Sequence, residues 1–190
     1  MASVWSRVSR SKLLTRYLLV TNTVSCGALM GLGDIAMQNI ENVNSRKQLD
    51  WMRTGRMMCM GFVMGPFNHG WYTFLDKVLP GATSSTVIKK IFLDQIVASP
   101  YFAFSFFIGM GTLEGKPFKD SFGEFRSKFW TVYKADWSFW PAAQAINFYF
   151  LPSQARVVYV GFVTLCWNTF LSYMKHKDEP HQGSIQAETS

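Results

Sequence analysis

The sequence predicts an all-α integral membrane protein with about four transmembrane helices, an amphipathic interfacial helix and an extra helical segment bounded by prolines. Five uncharged runs of 17 to 19 residues support this class: Tyr17–Gly33, Met57–Leu75, Gln95–Leu113, Trp137–Ala155 and Val157–Met174. About 20 apolar residues are enough for a helix to cross the hydrocarbon core of a bilayer. A soluble protein can bury one such run, but five in 190 residues indicate a polytopic membrane protein.

Charged and aromatic residues are distributed as this class requires. The net charge of +7 is spread over the termini and the connectors, and tryptophans such as Trp51, Trp71 and Trp130 flank charged connectors. Membrane interfaces favour amphipathic rings at such places. Because no dense basic helix or RNA-recognition motif is present, the charge indicates the lipid bilayer as a partner rather than nucleic acid.

A single helical membrane domain is predicted over residues 1–177, followed by a disordered tail over residues 178–190. Residues 1–16 carry four basic side chains and no acid: Arg7, Arg10, Lys12 and Arg16. This composition is typical of a mitochondrial targeting segment, and also of a positive flank that holds the first helix at the matrix face. The sequence does not decide whether this segment is cleaved.

The first two helices are predicted at about Leu13–Ile40 and Trp51–Val78, and each carries two glycines four positions apart. The pairs are Gly27 with Gly31 and Gly61 with Gly65. Small residues let two backbones approach closely in lipid, so we expect these four glycines at helix–helix contacts.

Near the end of the first helix, Asp34 and Gln38 are neighbours on one helical face. A carboxylate at that depth is either solvated at the interface or turned inward to a partner, and both alternatives stay open. Arg53, at the start of the second helix, is expected to extend its guanidinium to the interface.

The third helix is predicted at about Thr86–Leu113, with a kink at Pro100. Asp94 and Gln95 lie inside this helix. An intramembrane acid is costly unless it faces protein or water, so Asp94 should point inward. Its partner would be a donor such as Arg56, Lys90 or a freed backbone amide.

Residues 117–135 predict an amphipathic helix, because their apolar side chains recur every three or four positions: Phe118, Phe122, Phe125, Phe129 and Val132. Charged residues fill the other faces. We therefore expect this helix to lie along the bilayer surface or against the bundle without spanning it. The charged side of this helix is more simply interpreted as a solvated face than as a docking surface.

The segment from Asp136 to Arg156 places two amides inside a largely aromatic run. On a helix, Trp140, Gln144 and Asn147 share one face. Because unpaired amides are costly in hydrocarbon, Gln144 and Asn147 should face other helices. They would act there either as packing contacts or as the lining of a polar path.

Two prolines limit the length of this segment as a helix. Between Pro141 and Pro152 the chain can form only about 16 Å of helix. We expect it to cross the membrane with help from the preceding residues, or to enter it only partly. The four remaining spans would place both termini on one side, and their lysines and arginines indicate the matrix.

Motifs of the common enzyme classes are missing, and the sequence predicts no cofactor. It contains no nucleophile elbow, no HExxH zinc motif, no P-loop and no dinucleotide-binding glycine pattern. Asp34, Asp94 and Asp136 have no spacing that indicates catalysis, although each could pair with Arg56 or Arg156. A protein that is not an enzyme and holds no metal is therefore expected.

Five blocks of the sequence resemble the Mpv17 family, which includes the twenty-two-kilodalton peroxisomal membrane protein. The most recognisable block is WPAAQxxNFxFxPxxxR, from Trp140 to Arg156; the others are GALMGLGD, MGPFNHGWY, LDQIVASP and WNTFLSY, in the family's order. The resemblance covers roughly Leu18–Lys177. Details such as LLVTNT, LEG and YKADW are most similar to the branch of Mpv17-like protein two.

The resemblance implies four transmembrane helices and the mitochondrial inner membrane, with the peroxisomal membrane as the alternative. Similarity to the branch implies association with the large subunit of the mitochondrial ribosome, in support of its assembly and of mitochondrial translation. The wider family instead implies a channel or transporter for small solutes. The residues themselves indicate neither the partner's contact surface nor a permeant, and a homo-oligomer stays open.

Overall fold

The computed structural model describes residues 18–43, 48–80, 83–149 and 153–178, and these residues form five helices and no strand. The helices are α1 (Leu18–Glu41), α2 (Trp51–Val78), α3 (Ser84–Leu113), α4 (Phe118–Tyr149) and α5 (Ser153–His176). The predicted all-α class is confirmed. The predicted basic segment 1–16 lies outside the described residues, as does the predicted tail after Asp178.

Local sequence explains where several helices begin and end. The Asp50 side chain accepts hydrogen bonds from the backbone N–H groups of Met52 and Arg53 and so caps the start of α2. Thr83 caps α3 in the same way, through the N–H of Thr86. After α3, Gly115 takes a left-handed conformation (φ 73°), which glycine adopts without steric cost and which allows a tight turn into α4.

The proline in α3 is accommodated by a π-helical turn rather than by a break. The turn covers Asp94–Ala98, directly before the α-helical part Ser99–Leu113. The N–H of Ser99 donates to the carbonyl of Asp94, five residues back, whereas Pro100 has no N–H to donate. A kink was expected at Pro100. The observed departure from α-helical geometry is the π-helical turn, which lies about one turn earlier in the chain.

Helix α4 differs from the expectation of two separate elements. A single helix of 32 residues runs from Phe118 to Tyr149 and contains Pro141. The predicted amphipathic helix 117–135 and most of the proline-bounded segment are thus one element. A proline inside a helix removes one hydrogen bond, at a cost of about 3 kcal/mol. Packing directly before Pro141 can offset that cost, since Phe139 and Trp140 contact Trp167 of α5.

The five helices meet around an apolar core rich in methionine and phenylalanine. Every helix contributes to it: Met30, Met57, Met60, Phe106, Phe107, Met110, Val132 and Met174. The most extensive contacts join α1 to α2 and α5, and α3 to α4. Methionine side chains adapt to irregular gaps, which suits a core shared by five helices.

Two of the described helices are long and apolar enough to cross a membrane: Leu19–Glu41 and Ser84–Leu113. The outer faces of other helices are also apolar, since Phe67 of α2 is 56% exposed and Phe162 of α5 is 64% exposed. Soluble monomers rarely expose extensive apolar surface. These faces therefore suit contact with lipid, while the total of four spans stays a prediction.

Candidate functional site

The four predicted glycines lie in the contact between α1 and α2. A Cβ atom at Gly61 would lie 2.7 Å from the Cα of Gly27, and one at Gly65 would lie 2.6 Å from the Cα of Thr23. Gly27 and Gly31 face the side chains of Phe62 and Met58 instead of backbone. Gly33, beside the first pair in the sequence, also permits close approach, since its Cβ would lie 2.9 Å from the backbone of Asn168 in α5.

Asp34 is fully buried and turned inward, where its carboxylate accepts four hydrogen bonds. The donors come from three helices: Gln38 Nε2 at 2.8 Å, Arg53 Nε at 2.8 Å, Thr54 Oγ1 at 2.7 Å and Ser172 Oγ at 2.6 Å. Two of the donors are hydroxyl groups and one is a guanidinium, so the buried charge is both hydrogen-bonded and paired. We call these five residues the Asp34 network.

Arg53 and Gln38 extend the Asp34 network along α1. The guanidinium of Arg53 pairs with Glu41 at 2.7 Å and donates to Ser172 Oγ at 2.9 Å. The expectation that Arg53 reaches for the membrane interface is therefore wrong, because its side chain is occupied inside the bundle. Gln38 accepts the backbone N–H of Asp50 at 2.7 Å, which ties α1 to the start of α2.

A second polar group, the acid cluster, consists of Asp94, Gln95 and Asp136 on the facing helices α3 and α4. The carboxylate of Asp94 accepts from Trp71 Nε1 at 2.6 Å and from Tyr72 Oη at 2.9 Å. These donors are aromatic residues of α2, whereas Arg56, Lys90 or a freed backbone amide was expected. Asp136 is 7% exposed and faces Gln95 and Ser99.

Two acceptor atoms of the acid cluster have no hydrogen-bond partner within the described part of the chain. They are Oε1 of Gln95 and Oδ2 of Asp136. Buried polar atoms are normally satisfied, so each exception needs an explanation. The spacing of Asp94 and Asp136 in the sequence gave no signal that they approach one another.

A third group lies where the end of α3, the start of α4 and the end of α5 meet. The fully buried Lys175 places its Nζ 2.7 Å from Glu124 and 2.9 Å from Glu114. Lys128 Nζ lies 3.0 Å from Glu124 and donates to the carbonyl of Lys175 at 2.9 Å. Sequence reasoning missed this group, since it placed Glu124 and Lys128 on a solvated face of the amphipathic helix, whereas Lys128 is only 5% exposed.

Glu114 is the best-defined titratable group of this third cluster. Burial by itself would raise the pKa of Glu114, but the ammonium groups of Lys116 and Lys175 hold that pKa below its usual value. The two nitrogens lie 2.7 Å and 2.9 Å from Glu114 Oε2. The carboxylate is therefore stabilised in its charged form.

The remaining candidates lie in the last turns of α4 and at the start of α5. The Trp140 ring lies 6.2 Å from that of Trp167 in α5, Pro141 is half-buried inside α4, and Gln144 is half-buried. The side chains of Asn147 and Arg156 lie outside the described part of the molecule. The structure thus brings Trp140 to a helix contact, but it does not test the proposed polar face.

The Asp34 network and the acid cluster attach to opposite ends of α2. Trp71 lies seventeen positions after Thr54, which is about 26 Å along a helix that rises about 1.5 Å per residue. Met57 and Met60 of the apolar core lie between them. Among the described residues, no group of three or more His, Cys, Asp or Glu side chains could hold a metal ion.

Comparison with known proteins identifies the family. The Mpv17 / PMP22 family matches residues 111–172. The mitochondrial inner membrane protein Mpv17 of Xenopus laevis is 33% identical over 178 residues, covering 93% of this chain and 99% of that protein. PXMP2/4 family protein 4 of Dictyostelium discoideum is 38% identical over 164 residues, covering 85% and 88%. No solved structure matches the chain.

The Mpv17-like protein of Xenopus laevis is 31% identical over 164 residues, covering 86% of this chain and 79% of that protein. These similarities extend over nearly the whole chain, and the structure supplies helices that can span a bilayer. The chain therefore belongs to the Mpv17 / PMP22 family and is a protein of the mitochondrial inner membrane.

Proposed function

We propose that this protein is a non-enzymatic scaffold that crosses the mitochondrial inner membrane four times and supports assembly of the large ribosomal subunit and mitochondrial translation. The spans are α1, α2, α3 and α5, and both termini face the matrix. The ribosomal role is supported by the resemblance of LLVTNT, LEG and YKADW to the Mpv17-like protein two branch. The scaffold role is supported by the hydrogen bonds that Asp34 and Asp94 accept from neighbouring helices.

The main support for a scaffold is that the polar residues inside the bundle form separate groups. Four hydrogen bonds occupy the carboxylate of Asp34, and two occupy that of Asp94. About 26 Å of α2, with core methionines, separates the two groups. Polar groups that hold helices together in this way favour a rigid support over a continuous water path.

A channel for small solutes is the second candidate, and the acid cluster favours it. The free acceptors Gln95 Oε1 and Asp136 Oδ2 are the kind of groups that a permeating cation or water could use. In this alternative Asp94 would contribute to ion selectivity.

Two measurements on the same preparation separate the candidates. Co-sedimentation with the large subunit of the mitochondrial ribosome tests the scaffold, and solute flux in reconstituted bilayers tests the channel. We expect co-sedimentation without flux. Flux above that of protein-free bilayers, with no ribosomal association, would favour the channel instead.

The substitution Asp94→Asn sharpens this comparison. It removes a charge that holds Trp71 and Tyr72 of α2 against α3, so for a scaffold we expect lower protein abundance and, with it, weaker mitochondrial translation. Asp120→Asn, at an exposed position of α4, is the matched control. An Asp94→Asn protein of normal abundance with an altered conductance would refute the scaffold.

A further inference from the structure

The acid cluster contains two buried acceptor atoms without a hydrogen-bond donor. One proton placed between them would satisfy both. Gln95 is 4% exposed and Asp136 is 7% exposed. Oε1 of Gln95 and Oδ2 of Asp136 lack a hydrogen-bond partner among the described residues. Each such atom costs free energy when buried, and two neighbouring acceptors cannot satisfy one another unless a hydrogen lies between them.

The surroundings of the two acids are unequal. Asp94 receives one hydrogen bond from an indole N–H and one from a phenol O–H, so its negative charge is stabilised. Asp136 faces only the neutral side chains of Gln95 and Ser99, and the charge of Asp94 repels a charge on it. Neighbouring carboxylates shielded from water cannot both be ionised without a large penalty. Both oxygens of Asp94 accept a hydrogen bond, whereas Oδ2 of Asp136 accepts none, so the proton belongs on Asp136.

We propose that Asp136 is a proton-binding site, a neutral carboxylic acid in the folded protein that donates from Oδ2 to Oε1 of Gln95. Binding adds one proton to one carboxylate and satisfies both free acceptors at once. The titratable groups that act on Asp136 from the packed helices are Asp94 of α3 and Tyr72 of α2.

The backbone supports this assignment independently. Gln95 lies in the π-helical turn Asp94–Ala98, and Asp94 in the same turn bonds to α2. Turns of this type often occur at functional positions in helices. Asp94 faces α2 while Gln95 faces α4, so the two neighbours serve different contacts.

Thermal unfolding in detergent tests the bound proton. The unfolded chain releases this proton near the ordinary Asp pKa of about 4, whereas the folded parent keeps it to a higher pH, so the Tm of the parent should fall by a few degrees as the pH rises from about 4 to about 7. Asp136→Asn cannot ionise, and its amide N–H can replace the proton. The Tm of this variant should therefore not show that fall.

Asp120→Asn on the exposed face of the same helix is the matched control, and it should follow the parent. If the parent and Asp136→Asn respond to pH in the same way, the proposal is wrong. A Tm that follows sodium or potassium concentration at fixed pH, but not pH itself, would place a metal ion there and also overturn the proposal.

Infrared spectroscopy gives a measurement that does not depend on the stability of a variant. At about pH 5, where ordinary Asp side chains are ionised, the folded parent should show the carbonyl absorption of a protonated carboxylic acid, which deuterium exchange identifies. Asp120→Asn should keep this band, and Asp136→Asn should lose it if that variant folds. A parent spectrum at about pH 5 that matches the spectrum of a folded Asp136→Asn protein would refute the proton site.

Discussion

At the scale of single residues, buried carboxylates in this molecule differ in what neutralises them. Asp34 and Glu114 are paired with cationic side chains, at 2.8 Å from Arg53 and 2.9 Å from Lys175. Asp94 receives hydrogen bonds from neutral aromatic groups only. A charge inside a protein needs either a partner charge or several hydrogen-bond donors. Asp34 and Glu114 have a partner charge, and Asp94 has neutral donors.

The pairing of Glu114 predicts a pH dependence of stability. The pKa of Glu114 in the folded protein lies below its ordinary value of 4.5. Its contribution to the free energy of unfolding is therefore complete above that pH and is lost as pH falls through the folded-state pKa. At neutral pH we expect Glu114→Gln to be less stable than the parent by about 1–3 kcal/mol.

Unfolding curves from neutral pH down to about pH 3 check this prediction. The difference between the parent and Glu114→Gln should shrink in acid, where the parent also becomes neutral at this position. Asp120→Asn, which removes an exposed acid, serves as the control. A difference that is constant with pH would contradict the role of the charge.

At the scale of elements, close backbone approach determines how α1 and α2 pack. The approach is tightest at Gly61 and Gly65, where an added Cβ would meet backbone atoms of α1. At Gly31 an added Cβ would meet the Met58 side chain, which has rotamers available to it. Gly61 is thus a more sensitive position than Gly31 for testing this contact.

We predict that Gly61→Ala destabilises the protein by about 1–3 kcal/mol, because backbone cannot move away as a side chain can. Gly55→Ala is the matched control on the same helix, since nothing lies within 4 Å of its added Cβ. That control should be neutral or up to about 1 kcal/mol more stable, because alanine favours helix. Equal melting temperatures of the two variants would contradict the contact.

At the scale of the whole molecule, an apolar exterior surrounds an interior that contains several charges. Side chains such as Phe67, Phe74 and Phe162 are more than half exposed, while Asp34 and Lys175 are almost completely buried. Soluble proteins show the opposite arrangement. Hydrocarbon outside, with paired charges inside, is the arrangement that a bilayer stabilises.

This arrangement predicts resistance to extraction from mitochondrial membranes. Alkaline carbonate removes proteins bound by charge, whereas helices inside the hydrocarbon should keep this protein in the membrane pellet. Immunoblotting of pellet and supernatant is the measurement, with a peripheral inner-membrane protein as the control. Recovery in the supernatant would contradict a chain that spans the membrane.

The sequence by itself determined the class and most helix limits of this protein. Helix α2 begins and ends where it was predicted, at Trp51 and Val78. Such limits depend on local properties: the length of an uncharged run, the caps Asp50 and Thr83, and the torsions that Gly115 permits. Each of these acts within a few residues, so a linear pattern contains the information.

Only the tertiary structure decided which polar residues meet. Asp34 bonds to Ser172, which is 138 positions away, and Asp136 lies beside Gln95 of another helix. It also decided that α4 continues through Pro141, because contacts with α5 offset a local cost. Such contacts depend on the depth and rotation of each helix relative to its neighbours. Packing across the whole bundle sets the depth and rotation of each helix, and the periodicity of a single segment does not predict them.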